Sequence, residues 1–381
     1  MNGLDATLHL GGHLEQDFLD TDLLVVNPAV PKDMPLLRTA VAKGVRRTSE
    51  INLFLERCPG RLVGITGSVG KSTTTAMIGE ILARRYTTHV GGNIGRSLLD
   101  ILPEIRGDHY VVLELSSFQL EDTPLVGISP QVALVTNLLP NHLDRHGTMD
   151  AYGEAKKNIF RFQAKQDVLA LNRACSITSA WAGEAPGQVD LFDPKAEPFD
   201  LNVPGDHNQT NAQAAWAVVH HCGIDRATAA AALKTFGGLS HRLQFVIEKN
   251  GVKYYNDSKC TTPDGAIVAL NAFPPRKAIL IVGGYDKHVS FDTMGQALAQ
   301  RAKAVVALGA TRRQIIDAVN AHAAEGRPTL IAADDFDTAV ALARQQATPG
   351  DVVLLSPACA SYDMFVNYEQ RGQWFVELVT K

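Results

Sequence analysis

The chain has 381 residues, of which 45% are hydrophobic and 20% charged, with a formal net charge of -4. Single hydrophobic cores stop growing near roughly 250–300 residues, so two or three domains are expected. The slightly acidic balance excludes a broad basic surface for nucleic acid, and no apolar run approaches the ~18 residues of a membrane span.

The opening "MNGLDATLHLGGHLEQDF" is polar and acidic where a signal peptide would be basic and then apolar. The five cysteines, Cys58, Cys175, Cys222, Cys260 and Cys359, form no CxxC pair and no zinc spacing. They read as reduced packing residues of a cytoplasmic protein.

A strand-rich beginning that includes "DLLVVNPAV" gives way near residue 50 to "RLVGITGS", "YVVLELSS", "VALVTN" and "DVLALN". Continuous apolar runs of this length, separated by helix-sized stretches, predict buried parallel strands in a doubly wound α/β sheet. Helices are predicted over 73–85, over the alanine-rich 211–221, and over a run to Phe236 that Asp225 can N-cap. The segment "FGGLSHRLQFVIEKNGVKYYNDSK" breaks the pattern with a glycine pair and a hairpin turning at Asn250 and Gly251. A domain boundary is placed near Gly238. Beyond it, "AILIVGG", "AVVALGA", "TLIAA" and "DVVLLSPA" predict a second sheet of the same kind.

Residues 63–75, "VGITGSVGKSTTT", carry a phosphate loop of unusual spacing. The common GxxxxGK[ST] form needs a glycine where Ile65 stands, and the nearest glycines are Gly64 and Gly67. Strand, glycine turn, lysine and helix in that order still point backbone N–H groups and a helix N-terminus at phosphates. Lys71 would reach the β and γ phosphates, and Ser72 or Thr73 would hold Mg²⁺; the bland alternative is a glycine turn that merely joins strand to helix. The loop alone does not separate kinase, GTPase and ligase.

What surrounds the loop does separate them. "TGSVGKST" is similar to the TGxxGK[ST]T loop of the Mur ligases, in which Gly67 and not Gly64 belongs to the signature, followed by Ser68 and Gly70. "GGNIG", "LELSSFQLE", "NHLDRH", "YGEAKKNI", "GDHNQTNAQAA", "GLSHRLQ", "NDSKCTT", "GGYDK" and "LLSPACASYDMFVNYEQRG" then follow in the order seen in the D-glutamate-adding branch. The resemblance covers roughly residues 20–381. It implies a three-domain α/β architecture: a reduced N-terminal Rossmann-like domain for the UDP-substrate (1–50), a central P-loop ATPase domain (51–238) and a C-terminal Rossmann-like domain for the amino acid (239–381). It further implies ATP and Mg²⁺ as cofactors, UDP-N-acetylmuramoyl-L-alanine and D-glutamate as substrates, and a cytoplasmic monomer.

The resemblance assigns roles residue by residue. Glu114, at the end of "YVVLELSS", His142 in "LLPNHLDRH" and Ser72 are implied metal ligands, with Lys71 the phosphate-binding cation. Lys156 in "EAKKNI" matches a lysine that carries a carbamate; a carbamate offers a metal two anionic oxygens where an ammonium repels it. Its neighbour Lys157 lies one step off the match. Asn208 and Asn211 resemble the pair that meets ATP. Arg242, Asp257 and Lys259 would complete the nucleotide site when the last domain closes, Arg242 neutralising phosphate charge at transfer. The amino-acid pocket is implied by Thr261, Lys287, Ser361 and Tyr368, with Lys287 the cation for a side-chain carboxylate, and Asn93 in "GGNIG" would touch the muramoyl-alanine end.

Three departures accompany the match. Asn141 stands where the family has Asp before the metal histidine, so lower metal affinity is expected, and Tyr368 replaces a phenylalanine. The strand and glycine loop that open the family's first domain have no counterpart ahead of residue 63, and "VVNPAVP" only approximates its uridine-binding turn. The chain is therefore expected to begin at an internal methionine or to carry a reduced domain. Rival readings are a sister Mur or folylpolyglutamate-type ligase, which the tail motif and the lack of a DNPR-like motif disfavour; a nucleotide-binding partner subunit without full UDP-substrate recognition; and a switch GTPase, for which there is no NKxD motif.

Overall fold

The computed structural model describes residues 6–95, 97–322 and 327–381; residues 1–5 of the first predicted domain lie outside the described residues. The chain divides into two compact units, Met1–Ala196 with Gln213–Ala229, and Glu197–Ala212 with Ala230–Lys381.

The first unit is built on a six-stranded parallel sheet in the order β4-β5-β3-β6-β7-β8, from β3 (Arg61–Thr66), β4 (Thr88–Gly92), β5 (Tyr110–Glu114), β6 (Val132–Val135), β7 (Val168–Asn172) and β8 (Gln188–Phe192). Strands β5 and β7 are buried at every position, which is why their sequences run apolar without alternation. Strand β8 is an edge, exposed at Gln188 and Val189, and its mixed sequence hid it from a reading that looked for continuous apolar runs. A core of Phe54, Leu113, Val135, Tyr152, Ile159 and Phe160 fills one side of the sheet.

Ahead of this sheet the chain is not strand-rich as expected. Among the described residues of this segment the strands are the three-residue β1 (Leu23–Val25) and β2 (Arg46–Thr48), paired in parallel, and they are accompanied by helices Glu15–Leu19 and Pro35–Ala42. The β1 run was cut short because its residues stay largely exposed, so burial did not extend the strand into Asn27 and Pro28. Buried Asp122 anchors the segment through Lys32 and, at 3.2 Å, Arg47, while its carbonyl accepts from Asn52 Nδ2 at 2.7 Å. Arg145 donates to the carbonyls of Ala29 (3.0 Å) and Val30 (3.1 Å), which fixes the "NPAV" turn.

The second unit has a six-stranded sheet in the order β13-β12-β11-β14-β10-β9, from β9 (Gln244–Lys249), β10 (Val252–Asn256), β11 (Ala278–Gly283), β12 (Ala304–Leu308), β13 (Thr329–Ala332) and β14 (Val352–Leu355). All pairs are parallel except β9 with β10, the predicted hairpin. Its turn residues Asn250 and Gly251 have φ of 53° and 73°, the two positive values of a type I′ turn. Arg371 is buried here: the guanidinium donates to the carbonyls of Ser258 (2.8 Å) and Cys359 (3.1 Å) and to Ser258 Oγ (3.0 Å), joining the loop after β10 to the loop after β14. Burial lowers its pKa to about 10. No helix among the described residues is long and apolar enough to cross a membrane.

Candidate active site

Strand β3 ends in the phosphate loop, and the helix Lys71–Leu82 begins immediately after it, capped by Gly70 in the left-handed region at φ 84°. Gly67 has φ 143°, and a Cβ there would lie 2.0 Å from Thr136 Oγ1, so a side chain is excluded twice over. Gly64 has a different reason to be glycine: inside β3, its Cβ would lie 2.4 Å from Pro130 Cγ, a packing constraint unrelated to phosphate.

The loop is braced from the end of β6. Val69 N donates to Asn137 Oδ1 (3.0 Å), Thr136 Oγ1 donates to the Val69 carbonyl (2.8 Å), and Ser68 Oγ exchanges hydrogen bonds with Leu139 backbone groups at 3.0 and 2.9 Å. Lys71 folds back so that Nζ donates to the Ser68 carbonyl at 3.0 Å, and Ser72 and Thr73 sit half-buried in the first helical turn. Sequence reasoning missed Thr136 and Asn137; the only signal was the polar pair closing the apolar run "VALVTN".

Glu114 ends β5, in register with Ile65 of β3 and Gly92 of β4, and is 2% exposed. Its Oε1 accepts from Asn93 Nδ2 at 2.8 Å, while buried Oε2 has no hydrogen-bond partner among the described residues. Leaving such an oxygen unmatched costs several kcal/mol in order of magnitude unless a cation meets it. Asn93, assigned from sequence to the muramoyl-alanine end, here uses its amide to orient that carboxylate.

Lys156 lies on the helix Met149–Lys157 and is 1% exposed. Its Nζ donates to the Gly67 carbonyl (2.9 Å) and to Thr66 Oγ1 (3.3 Å) and rests 4.6 Å from the Tyr152 ring centroid. Burial, assisted by the Lys71 charge and opposed by Glu114, lowers its pKa to about 7. Lys157, one residue on, lies over the Trp181 ring at 5.5 Å and pairs with exposed Glu154 and Glu184, each at 2.8 Å. The same helix thus holds one amine with no carboxylate bonded to it among the described residues and one cation that is ion-paired. Tyr152, which sequence reasoning passed over, supports the first lysine and also lies 3.3 Å from Ser68 Oγ through its hydroxyl.

His142 is exposed, with a left-handed backbone at φ 54° at the start of the short helix Leu143–His146. Asn141 Oδ1 accepts from the His142 amide at 2.9 Å, so the residue that replaces the expected aspartate serves the local turn. The His142 ring lies 5.0 Å from Phe118 and 6.2 Å from Tyr152. The donor set of this unit fits a hard divalent ion: a buried carboxylate oxygen with no hydrogen-bond partner among the described residues, a hydroxyl at the mouth of the phosphate loop, and a buried amine of lowered pKa that would offer oxygen ligands as a carbamate.

The remaining expected residues lie in the second unit. Asn211 Nδ2 donates to Asn208 Oδ1 at 3.2 Å, and both are buried, with Asn208 Nδ2 donating to the Pro204 carbonyl at 2.7 Å. Asp257 is buried, accepts from Ser356 Oγ (2.7 Å) and Leu243 N (3.1 Å), and is raised by burial to about 6 despite exposed Arg242. Lys259 Nζ sits 5.6 Å from the Tyr368 ring, whose carbonyl accepts from Ser258 Oγ at 2.8 Å, so these two are brought together. Burial pushes the Tyr368 phenol up to about 12. Thr261 precedes the helix Pro263–Asn271, Ser361 is buried with its carbonyl turned to Met364 and Phe365, and Lys287 is exposed beyond β11.

Residues 65–192 match the Mur ligase middle domain, and residues 241–359 match the Mur ligase, glutamate ligase domain. The UDP-N-acetylmuramoylalanine–D-glutamate ligase of Symbiobacterium thermophilum is 41% identical, over 97% of this chain and 86% of its own length. That of Acetivibrio thermocellus is 40% identical over 99% and 86%. Among solved structures, the UDP-N-acetylmuramate-alanine ligase MurC of Thermotoga maritima superposes with a TM-score of 0.62 at 21% identity, over 97% of this chain and 88% of that one. A UDP-N-acetylmuramoyl-L-alanyl-D-glutamate–2,6-diaminopimelate ligase does so with 0.65 at 18%, over 91% and 89%. At those identities the structural likeness is one of fold.

Proposed function

The chain belongs to the Mur ligase family, and from that membership we propose that it is an ATP-dependent amide ligase that adds D-glutamate to UDP-N-acetylmuramoyl-L-alanine in peptidoglycan precursor synthesis. The observation that carries the reading is the 41% identity to a D-glutamate ligase over 97% of the chain.

A carboxylate is a poor acyl donor because oxide and hydroxide leave badly. A carboxylate oxygen of the alanyl group therefore attacks the γ-phosphorus of ATP, releasing ADP and forming an acyl phosphate. The D-glutamate amine then attacks the acyl carbon, phosphate leaves with the electron pair of the single bond between that carbon and its bridging oxygen, and the amine proton is lost to solvent. Lys71 and the helix N-terminus behind the loop neutralise the transferring phosphoryl group. Ser72, Glu114, His142 and carbamylated Lys156 would hold Mg²⁺, which supplies charge neutralisation between the phosphates. Glu114 Oε2, which has no hydrogen-bond partner among the described residues, and the lowered pKa of Lys156 support that assignment.

Gly67, Ser68, Gly70 and Thr73 form the rest of the phosphate cradle. The reading gives Asn208, Asn211, Arg242, Asp257 and Lys259 to the nucleotide, Thr261, Lys287, Ser361 and Tyr368 to D-glutamate, and Asn93 to the muramoyl-alanine end as well as to Glu114. It divides the chain into 1–50, 51–238 and 239–381 by role, and places a monomer in the cytoplasm, where ATP and UDP-linked substrates occur. Phosphate release from ATP is the test, measured with UDP-N-acetylmuramoyl-L-alanine and, in turn, D-glutamate, L-glutamate, L-alanine or diaminopimelate. Release coupled to D-glutamate is expected; equal release with every amine, or preference for another, overturns the reading.

A further inference from the structure

Outside the phosphate-loop site, the first unit gathers three side chains that its chemistry does not use. Asp190 is the middle residue of edge strand β8, and His220 and His221 form the turn that follows the helix Asp206–Val219. One donor atom from each lies within 4.8 Å of the other two. His221 Nε2 is 3.0 Å and His220 Nε2 3.5 Å from the same carboxylate oxygen, Asp190 Oδ2. Tetrahedral bonds of ~2.0–2.1 Å set neighbouring ligand atoms about 3.4 Å apart, so both spacings are close to those around one ion.

The protonation pattern argues in the same direction. His220 Nδ1 lies 3.0 Å from the Trp216 carbonyl, which can only accept, so Nδ1 carries the hydrogen. With Nδ1 so engaged, Nε2 is the ring nitrogen left to face the Asp190 carboxylate oxygen, and a cation, proton or metal ion, is what can join the two. A backbone carbonyl holding the far nitrogen is also the usual way a ligating imidazole is oriented. The two rings, 3.8 Å apart at their centroids, follow the C-terminal end of a helix, where the backbone dipole favours positive charge. All three side chains keep between 26% and 34% exposure, enough for an ion to enter and for water to complete its shell.

We propose that Asp190, His220 and His221 form a surface site for a borderline divalent transition metal, with Zn²⁺ the best match to two imidazoles and one carboxylate. The ion displaces the Nε2 hydrogen of His221 to Nδ1 and clips the edge strand to the turn after the helix. This site is separate from the Mg²⁺ ligands assigned above and does not depend on them.

Zn²⁺ is titrated calorimetrically into the full chain in saturating Mg²⁺, and crystals grown with Zn²⁺ are measured at the zinc absorption edge. One anomalous peak bonded to Asp190, His220 and His221 is expected. Affinity should fall on the order of 100-fold in His220→Ala/His221→Ala and on the order of 10-fold in Asp190→Asn, which keeps the side-chain shape. Both variants should keep zinc-free melting temperature and ATP-dependent phosphate release. An isotherm unchanged in the double variant, or anomalous density at other residues only, overturns the proposal.

Discussion

Replacing Lys156 by Met tests the most unusual group in the phosphate-loop site. An ordinary lysine of pKa 10.5 has about 3 neutral amines in 10⁴ at pH 7, whereas a pKa of about 7 leaves half of them neutral. The reactive amine is thus on the order of 10³ times more abundant, and it can add CO₂, forming the N–C bond of a carbamate and releasing a proton. With ¹³C-bicarbonate, the wild-type protein should show one carbamate resonance whose intensity rises as pH passes about 7, absent from Lys156→Met. Phosphate release should fall at least ~10²-fold in the variant. The folded pKa lies below the unfolded one, so between about 7 and 10.5 the unfolded chain holds more protons and stability rises with pH; below about 7 the full cost of burying an ammonium remains. That cost is on the order of 5 kcal/mol at ~1.36 kcal/mol per pKa decade, offset in the variant by about 1–3 kcal/mol for the Gly67 carbonyl that loses its Lys156 donor, while the Thr66 hydroxyl keeps its bond to the Leu115 carbonyl. In CO₂-free buffer, urea unfolding should therefore lose this pH-dependent component in Lys156→Met. A wild-type resonance that appears only near pH 10, or an identical pH slope in both proteins, would refute the reasoning.

Lys71→Ala should lower ATP turnover by on the order of 10²–10³ while leaving the circular dichroism spectrum unchanged, since the side chain acts on phosphate charge rather than on the packing of the core. Lys287→Ala, an exposed change, should chiefly raise the KM for D-glutamate; an effect confined to kcat would remove Lys287 from the pocket. Arg371→Met should destabilise the second unit by about 3 kcal/mol in urea, because it leaves the buried Ser258 and Cys359 carbonyls unpaired, and Arg371→Lys should recover little of it, lacking the planar fork.

Much of the fold was legible because burial writes itself into composition. Strands β3, β5, β6, β7, β11, β12 and β14 appeared as apolar runs since both their faces are covered, and the Asn250–Gly251 turn was legible because few residues tolerate two positive φ angles. Strands β2, β4 and β8 were missed because short or edge strands keep polar, exposed positions, and the helices before residue 50 were missed because so few of their side chains are buried. The candidate residues were legible as motifs, since phosphate and amide-forming chemistry need particular groups at fixed spacing.

The sequence by itself determined the α/β class, the phosphate loop, the order of motifs and hence the family. Only the tertiary structure decided what neighbouring residues of one type do. Lys156 and Lys157 are both lysines on one helix, yet the fold buries one under the phosphate loop and lets the other reach Glu154 and Glu184. Gly64 and Gly67 are both glycines, one pressed on Pro130 and the other on Thr136. Asp190 meets His220 and His221 from 30 residues away. In each case local sequence specifies which groups are present, while desolvation and close contact, which set their charge and reactivity, come from segments distant along the chain.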